Sequence, residues 1–439
     1  YSSARVLFGA TGDLVAKKIL PALNQWYEYA KPYDVILCLG RRSFGSEDYL
    51  KFIEMKGKLK LGDNLRSHIR YLTVEFDTSE DYEKLKIILT KNEDIKITFY
   101  LAVKPESFVG ISRHLSHNGV FQRGNFNHKL IFEKPFGNNL QSAQQIQEDM
   151  LKLAEERQIY RIDHYLGKDM IRNILALRFG NRLFEESWNG RVLSSIKIVS
   201  LETAGVEERL DYYDGAGAIN DMIQSHLLQL MALVAMDSPE DFQSESIRNK
   251  KIMIMKNIVM SKNELPLIGQ YAGYREIAPG FSESLTETYV KVMLSIDLPQ
   301  WEGTQFILET GKKLKEKRME IIMEFEPKPL CITRFEKVEV EANQLVIQVY
   351  PKEGVRLRFN SKAPGYDFRM EPVDSEYCHA CRSIGNKPEA YVKLLMDAEA
   401  GDRTLFAGFD ELQLQWKIAD KIKEAASKTR LMIYSEGTL

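Results

Sequence analysis

The sequence predicts an α/β domain on a parallel sheet, then a larger α+β domain with a mostly antiparallel sheet. Two patterns and the chain length carry that expectation. Over the first third, short continuous apolar runs alternate with longer amphipathic ones. Beyond about residue 160, apolar and polar residues alternate within runs, and several runs follow one another without a helix between them. The chain has 439 residues and is 44% hydrophobic and 28% charged. That length suits about two or three domains with a large buried core, and the composition excludes disordered, collagenous and membrane-spanning classes.

The elements follow in order. Val6-Leu7-Phe8 reads as a first strand and 13–29 as a helix, with further strands over 35–39, 71–76, 97–102 and 129–132. Helical stretches over 82–90, 105–117 and 140–157 separate them, so each strand is covered on both faces, as in a parallel sheet. Later strands are expected over 192–201, 289–296, 319–325, 345–349 and 355–359, and helices over 215–236, 388–397 and 410–424. Period-two alternation marks an antiparallel sheet with one face on the core. The change of pattern puts the domain boundary between 163 and 164, giving domains 1–163 and 164–439.

Sixty Lys and Arg against 62 Asp and Glu leave a net charge of −2, so no overall field favours nucleic acid or a membrane. The run Gly311-Lys312-Lys313-Leu314-Lys315-Glu316-Lys317-Arg318 by itself reads as a solvated basic face. Four cysteines do not make a disulfide scaffold, and no leading segment has signal-peptide layout, which favours a reduced, cytoplasmic setting. Cys378 and Cys381 form a C-x-x-C read as two incidental thiols. No cluster has metal-ligand spacing, so no metal is expected.

Gly9-Ala10-Thr11-Gly12-Asp13-Leu14 directly follows the first strand and opens the first helix. Glycines there permit a tight turn and close approach to a pyrophosphate, which meets free amides at the helix start. This makes the first domain Rossmann-like, although position 7 is Leu and only the later glycine pair of G-x-G-x-x-G is present. After the second strand comes Gly40-Arg41-Arg42-Ser43, without the carboxylate that accepts from a ribose 2′-hydroxyl. Guanidinium groups pair with a 2′-phosphate, so NADP is favoured, with NAD as the lesser cofactor.

Three segments hold the candidate chemistry. Glu133-Lys134-Pro135-Phe136-Gly137 ends a parallel strand, on the edge where open α/β sheets bind ligands. Arg161-Ile162-Asp163-His164-Tyr165-Leu166-Gly167-Lys168 packs a carboxylate, an imidazole, a phenol and cations into eight residues, a set suited to phosphate. The third runs from Asp214 to His226. There His226 shares a helical face with Ile219, Met222 and Leu230, where a lone His is ordinarily a satisfied core residue. Asp221 lies five positions back, roughly 140° around an α-helix, so spacing does not pair the two.

Together, G-A-T-G-D-L, E-K-P-F-G, R-I-D-H-Y-L-G-K and D-G-A-G-A-I-N-D-M-I-Q-S-H-L-L-Q resemble glucose-6-phosphate dehydrogenases. The likeness continues in order through G-Q-Y, W-E-G, G-K-K-L and D-E-L to the end of the chain. It implies oxidation of glucose 6-phosphate at C1 with hydride transfer to NADP, opening the oxidative pentose phosphate route. It makes His226 the general base and Asp163 the carboxylate that orients it, with Lys134 between substrate and cofactor. His164, Tyr165 and Lys168 become the sugar-phosphate contacts. Glu202 and Asp221 would bind sugar hydroxyls, Lys312 and Lys317 would face the substrate, and Gly9 to Leu14 with Arg42 would hold the cofactor. A homodimer or homotetramer is implied; neither nucleic acid nor membrane is an expected partner. Val15 stands where a smaller residue is common in the family, and a second, structural NADP site is not expected. Two other readings remain open: a dehydrogenase of the same fold acting on another sugar or sugar phosphate, and a non-catalytic NADP-binding regulator.

Overall fold

The computed structural model describes residues 1–90, 92, 94–261, 263–331, 334, 337–382 and 390–438. The chain divides into two compact units. The first is Tyr1–Gly167 with Gln243–Glu245 and Lys387–Gln413; the second is Lys168–Phe242, Ser246–Asn386 and Leu414–Leu439. Among the described residues, no helix is long and apolar enough to cross a membrane.

The first unit is built on six parallel strands: β1 (Ser3–Phe8), β2 (Val35–Gly40), β3 (Ile69–Thr73), β4 (Lys96–Leu101), β5 (His128–Phe132) and β6 (Ile159–Arg161). Their spatial order is β3-β2-β1-β4-β5-β6, so the winding reverses between β1 and β4. Every residue of β2 is buried, as a strand between two helical layers requires. The expected 13–29 helix is a π-helical turn, Val15–Ile19, running into an α-helix, Leu20–Tyr27.

Two differences matter for the site. The helix expected to reach 157 is Leu140–Leu153, because Ala154 turns extended at φ −141°. A short 3₁₀ turn, Glu156–Gln158, then feeds β6, a three-residue strand too short to announce itself by periodicity. The second difference is the division of the chain, since a split at 163/164 leaves no C-terminal segment in the first unit. The helix Ala390–Ala400 belongs to the first unit and buries Tyr391, Val392, Leu394, Leu395 and Ala398. Lys129 Nζ donates to its final carbonyls, Ala398 at 2.8 Å and Glu399 at 2.6 Å, where a cation complements the helix dipole. The expected start of this helix at 388 lies outside the described residues.

The second unit carries β7 (Leu193–Leu201), β8 (Ile258–Met260), β9 (Leu267–Tyr271), β10 (Tyr289–Ile296), β11 (Gln305–Gly311), β12 (Arg318–Phe325), β13 (Leu330–Cys331), β14 (Lys337–Val338), β15 (Gln344–Tyr350), β16 (Gly354–Lys362), β17 (Met370–Cys378) and β18 (Met432–Tyr434). Its large sheet runs β17-β16-β15-β12-β7-β11-β10-β9-β18, with β8 also on β10. Pairing is antiparallel except for β7 with β11 and β9 with β18. In β10, Tyr-Val-Lys-Val-Met-Leu-Ser-Ile alternates in burial as it does in sequence. β17 gave no such signal: it is polar, largely exposed and contains Pro372, and it is held to β16 by the ladder and by the Arg358–Asp374 pair at 2.8 Å.

The expected 215–236 helix is three pieces: Leu210–Ala218, a π-helix Ile219–Leu227 and an α-helix Leu228–Ala235. Gly217, at φ +67°, breaks it, and every residue from Ile219 to Ala235 is buried. The C-x-x-C also departs from expectation. β17 ends at Cys378, and the turn that follows brings its Cα within 5.4 Å of that of Cys381, so the pair forms a disulfide rather than two separate thiols.

Candidate active site

The glycine turn sits at the carboxyl end of β1. Gly9 has φ +74°, and a Cβ there would overlap the carbonyl oxygen of Ala102, so the position is restricted to glycine. The Gly12 amide donates to Gly9 O at 2.9 Å and the Ala10 amide to Leu39 O at 2.9 Å, tying the turn to β2. Tyr49 and Lys56 secure it from outside, donating to the carbonyls of Ala10 (2.9 Å) and Thr11 (3.0 Å). Asp13 pairs with Lys56 at 2.9 Å and Lys17 at 3.0 Å; hydrogen bonds from these two ammonium groups hold its carboxyl below the usual range. Leu14 caps the π-helical turn, and buried Val15 begins it, so the helix opens where the sequence carries the larger residue.

Arg42 follows β2. Its carbonyl accepts from Tyr71 at 2.7 Å and Thr73 at 3.3 Å, while its exposed guanidinium lies 5.2 Å from the Phe52 ring centroid. The backbone is thus fixed and the cation is left facing solvent. A turn closed to a Cβ at Gly9, with Arg42 and no carboxylate at 40–43, fits a phosphate-bearing dinucleotide.

At the end of β5, the turn bearing Lys134 is held from two sides. Gly137, at φ +86°, would put a Cβ 2.6 Å from Ala143 N, and buried Phe136 lies 4.6 Å from the Arg161 guanidinium. Beside Lys134, Glu133 accepts hydrogen bonds from Tyr100 and, at 3.4 Å, from Tyr391. Burial pushes the Glu133 carboxyl up to about 7, although the hydrogen bonds from both tyrosines pull the other way.

β6 delivers the octapeptide. Asp163, 4% exposed, accepts the Tyr165 amide on Oδ1 at 3.0 Å, and its carbonyl accepts the Leu166 amide at 3.1 Å. The His164 ring lies 4.8 Å from Tyr165 and parallel to Tyr391 at 6.3 Å, 9° between planes. A Cβ on Gly167 would meet Ala390 O at 2.8 Å, which lets the helix Ala390–Ala400 come close. The first unit therefore brings Asp163, His164 and Tyr165 together. Tyr391 links His164 to Glu133, a bridge that no local motif announces.

In the second unit, Lys168 caps the helix Asp169–Phe179. Glu202 follows β7 and Lys312 follows β11, two parallel neighbours, and the ammonium of Lys312 pairs directly with the Glu202 carboxylate. Lys312 also lies 5.4 Å from the Tyr213 ring centroid. Lys317 is exposed on the connection to β12 and rests 4.8 Å from the Tyr350 ring rather than on the Glu202–Lys312 pair. Asp221 (6% exposed) and His226 (2%) both lie on the π-helix, and Arg209, missed from sequence, reaches Asp221 at 3.5 Å. The α-helical angle of 140° does not apply to them. In a π-helix the hydrogen bond runs i→i+5, which sets residues five apart over one another.

The strand order with its glycine turn at the first strand defines a Rossmann dinucleotide-binding domain, and the chain as a whole is a nicotinamide-nucleotide-dependent oxidoreductase. Residues 6–173 match the NAD binding domain of glucose-6-phosphate dehydrogenase, and residues 175–439 match its C-terminal domain. The chain belongs to the glucose-6-phosphate dehydrogenase family. Glucose-6-phosphate 1-dehydrogenase of Bacillus subtilis (strain 168) is 36% identical over 460 residues, covering 99% of this chain and 94% of that protein. The Chlamydia muridarum enzyme of the same name is 34% identical over 471 residues, covering 99% and 92%. A solved glucose-6-phosphate dehydrogenase in complex with glucose 6-phosphate superposes with a TM-score of 0.90 at 30% identity, over 100% of this chain and 95% of that one.

Proposed function

We propose that the protein oxidises D-glucose 6-phosphate at C1 to 6-phospho-D-glucono-1,5-lactone, with NADP as hydride acceptor. The observation that carries the reading is the Asp163–Tyr165 cluster, held rigidly at the carboxyl end of β6 within a family-matched chain. A phosphoryl group takes donors from His164, Tyr165 and Lys168, which fixes one end of the sugar. Glu202, Asp221, Lys312 and Lys317 supply acceptors and cations for the sugar hydroxyls and the substrate's charge. A bound nicotinamide would supply the acceptor for the C1 hydride. His226 takes the C1 hydroxyl proton on an imidazole nitrogen, and Asp163 orients that ring and stabilises its protonated form. Such a base contributes about 10²–10⁴ in rate. Lys134 would lie between substrate and cofactor, the turn at 9–14 would hold the pyrophosphate, and Arg42 would pair with the 2′-phosphate. On this reading the enzyme works as a homodimer or homotetramer, which light scattering distinguishes.

Initial rates at the NADPH absorbance band, with NADP and NAD and with glucose 6-phosphate, glucose and galactose 6-phosphate, test the proposal. Turnover with glucose 6-phosphate and little with glucose is expected. Equal rates on glucose would overturn the phosphate assignment. Tight NADP binding without turnover would make the protein a regulator instead.

A further inference from the structure

Between the 3₁₀ turn at Pro279–Phe281 and the start of β10 runs a short strap, 284–288, whose side chains are tied to neighbouring elements. Asp214 pins it: its Oδ1 accepts from Ser284 at 2.5 Å and Tyr274 at 2.9 Å, and its carbonyl accepts from Thr286 at 2.7 Å. Thr288 continues the hold, donating its amide to Gly269 O at 2.7 Å and meeting the Tyr434 hydroxyl at 2.8 Å. The strap is thereby fixed to both the 210–218 helix and β9.

Its central residue, Glu287, faces the break at Gly217. The Glu287 carbonyl accepts the Ala218 amide at 3.0 Å, and its carboxylate Oε1 accepts the Ile219 amide at 3.0 Å. Ile219 is the first residue of the π-helix that carries Asp221 and His226. Amides at a helix start have no partner within the helix, so an acceptor placed there determines where the helix begins. A Cβ on Gly217 would overlap the Glu287 carboxylate, so the glycine leaves room for it. One residue on, the Thr288 carbonyl accepts the Lys312 amide at 3.0 Å. Two adjacent residues thus bracket the start of the His226 helix and the backbone of Lys312.

We propose that Glu287 is a positioning residue for the reaction: by accepting the Ile219 amide it sets the start, and hence the placement, of the π-helix bearing Asp221 and His226. This rests on the reading of His226 as the base. Catalysis is sensitive to such placement, since a displacement of about 1 Å costs on the order of 10²-fold.

The test separates reach from charge. Glu287→Gln keeps the length and an acceptor oxygen, while Glu287→Asp keeps the charge and withdraws the oxygen. The Gln variant should retain at least half of the wild-type kcat. The Asp and Ala variants should lose about 10–100-fold in kcat, with NADP affinity unchanged. An active Asp variant beside an inactive Gln variant would overturn the proposal in favour of charge, and full activity in all three would remove Glu287 from the mechanism. Should the Ala variant fail to fold, the Asp–Gln comparison decides. Amide exchange over 218–221 gives a readout independent of turnover: protection should survive in Gln and fall in Asp. That pattern with no wild-type turnover of glucose 6-phosphate would sink the assigned reaction and leave the helix-start role standing; unchanged protection in every variant would sink the positioning role itself.

Discussion

Arg161 and Glu156 meet in two parallel hydrogen bonds, Nη1 to Oε1 at 2.7 Å and Nη2 to Oε2 at 3.0 Å. The pair closes the 3₁₀ turn onto β6, two residues ahead of Asp163, and Arg403 adds a third charge 3.5 Å from Glu156. The strand that delivers the octapeptide is therefore anchored electrostatically where its three residues offer little ladder.

Acid stability follows from that pair. Burial pushes the Glu156 carboxyl up, but Arg161, Gln147 and Arg403 outweigh it and bring it down to about 2. The folded value lies below the ordinary 4.5, so the stabilisation is present above about pH 4.5 and is lost as pH falls toward 2. Glu156→Gln should cost about 2 kcal/mol at pH 7, less than a fully buried pair because the Glu156 side chain stays 31% exposed. Thermal melts should show a shallower acid limb for this variant between pH 4.5 and 2 than for wild type.

Glu133 runs the other way. Its carboxyl is raised from 4.5 to about 7, so the folded state holds the proton more tightly than the unfolded chain does. Stability from this group is complete below about pH 4.5 and declines as pH rises through 7. Glu133→Gln should remove that decline, an effect on the order of 3 kcal/mol. Melting temperatures at pH 5 and pH 8 measure it: wild type should lose more between them than the variant.

His226→Asn should lower kcat by about 10²–10⁴ while the dissociation constant for glucose 6-phosphate stays within a few-fold. Single-turnover kinetics beside equilibrium binding would separate the two effects. Undiminished turnover would strike the imidazole from the proton transfer.

Arg42→Ala should weaken NADP by about 10–100-fold, the worth of one or two charge-assisted hydrogen bonds, and leave NAD nearly unchanged. Competitive titration of both nucleotides reads the ratio. Equal losses would mean that the guanidinium does not meet the 2′-phosphate.

Much of the fold was legible. β1, β2 and β10 announced themselves because continuous or alternating apolar residues report burial directly. β6 and β17 were not legible, one being three residues long and the other polar with a proline. The candidate site divides similarly. The motif residues stand in compact segments, but their roles came from the family resemblance, since spacing alone read His226 as a core residue. Glu133 stood inside a motif yet showed no role until Tyr100 and Tyr391 were placed around it. The segment carrying Asp221 and His226 was expected as plain α-helix, because a period of 3.6 was assumed where the helix is π. Lys56, Arg209 and Glu287 act through distant partners, which no local pattern reveals.

The return of the helix Ala390–Ala400 to the first sheet has a bearing on synthesis. Arg5, fully buried, meets Glu399 at 3.6 Å, and Thr98 and Tyr33 donate to the same carboxylate at 3.0 and 2.8 Å. At about 5–20 residues per second, a ribosome needs some tens of seconds after Gly167 to make that segment. Through this interval the nascent N-terminal sheet has an uncapped apolar flank and an unneutralised guanidinium. A fragment ending at Gly167 would lack both that apolar cover and the Glu399 carboxylate that meets Arg5.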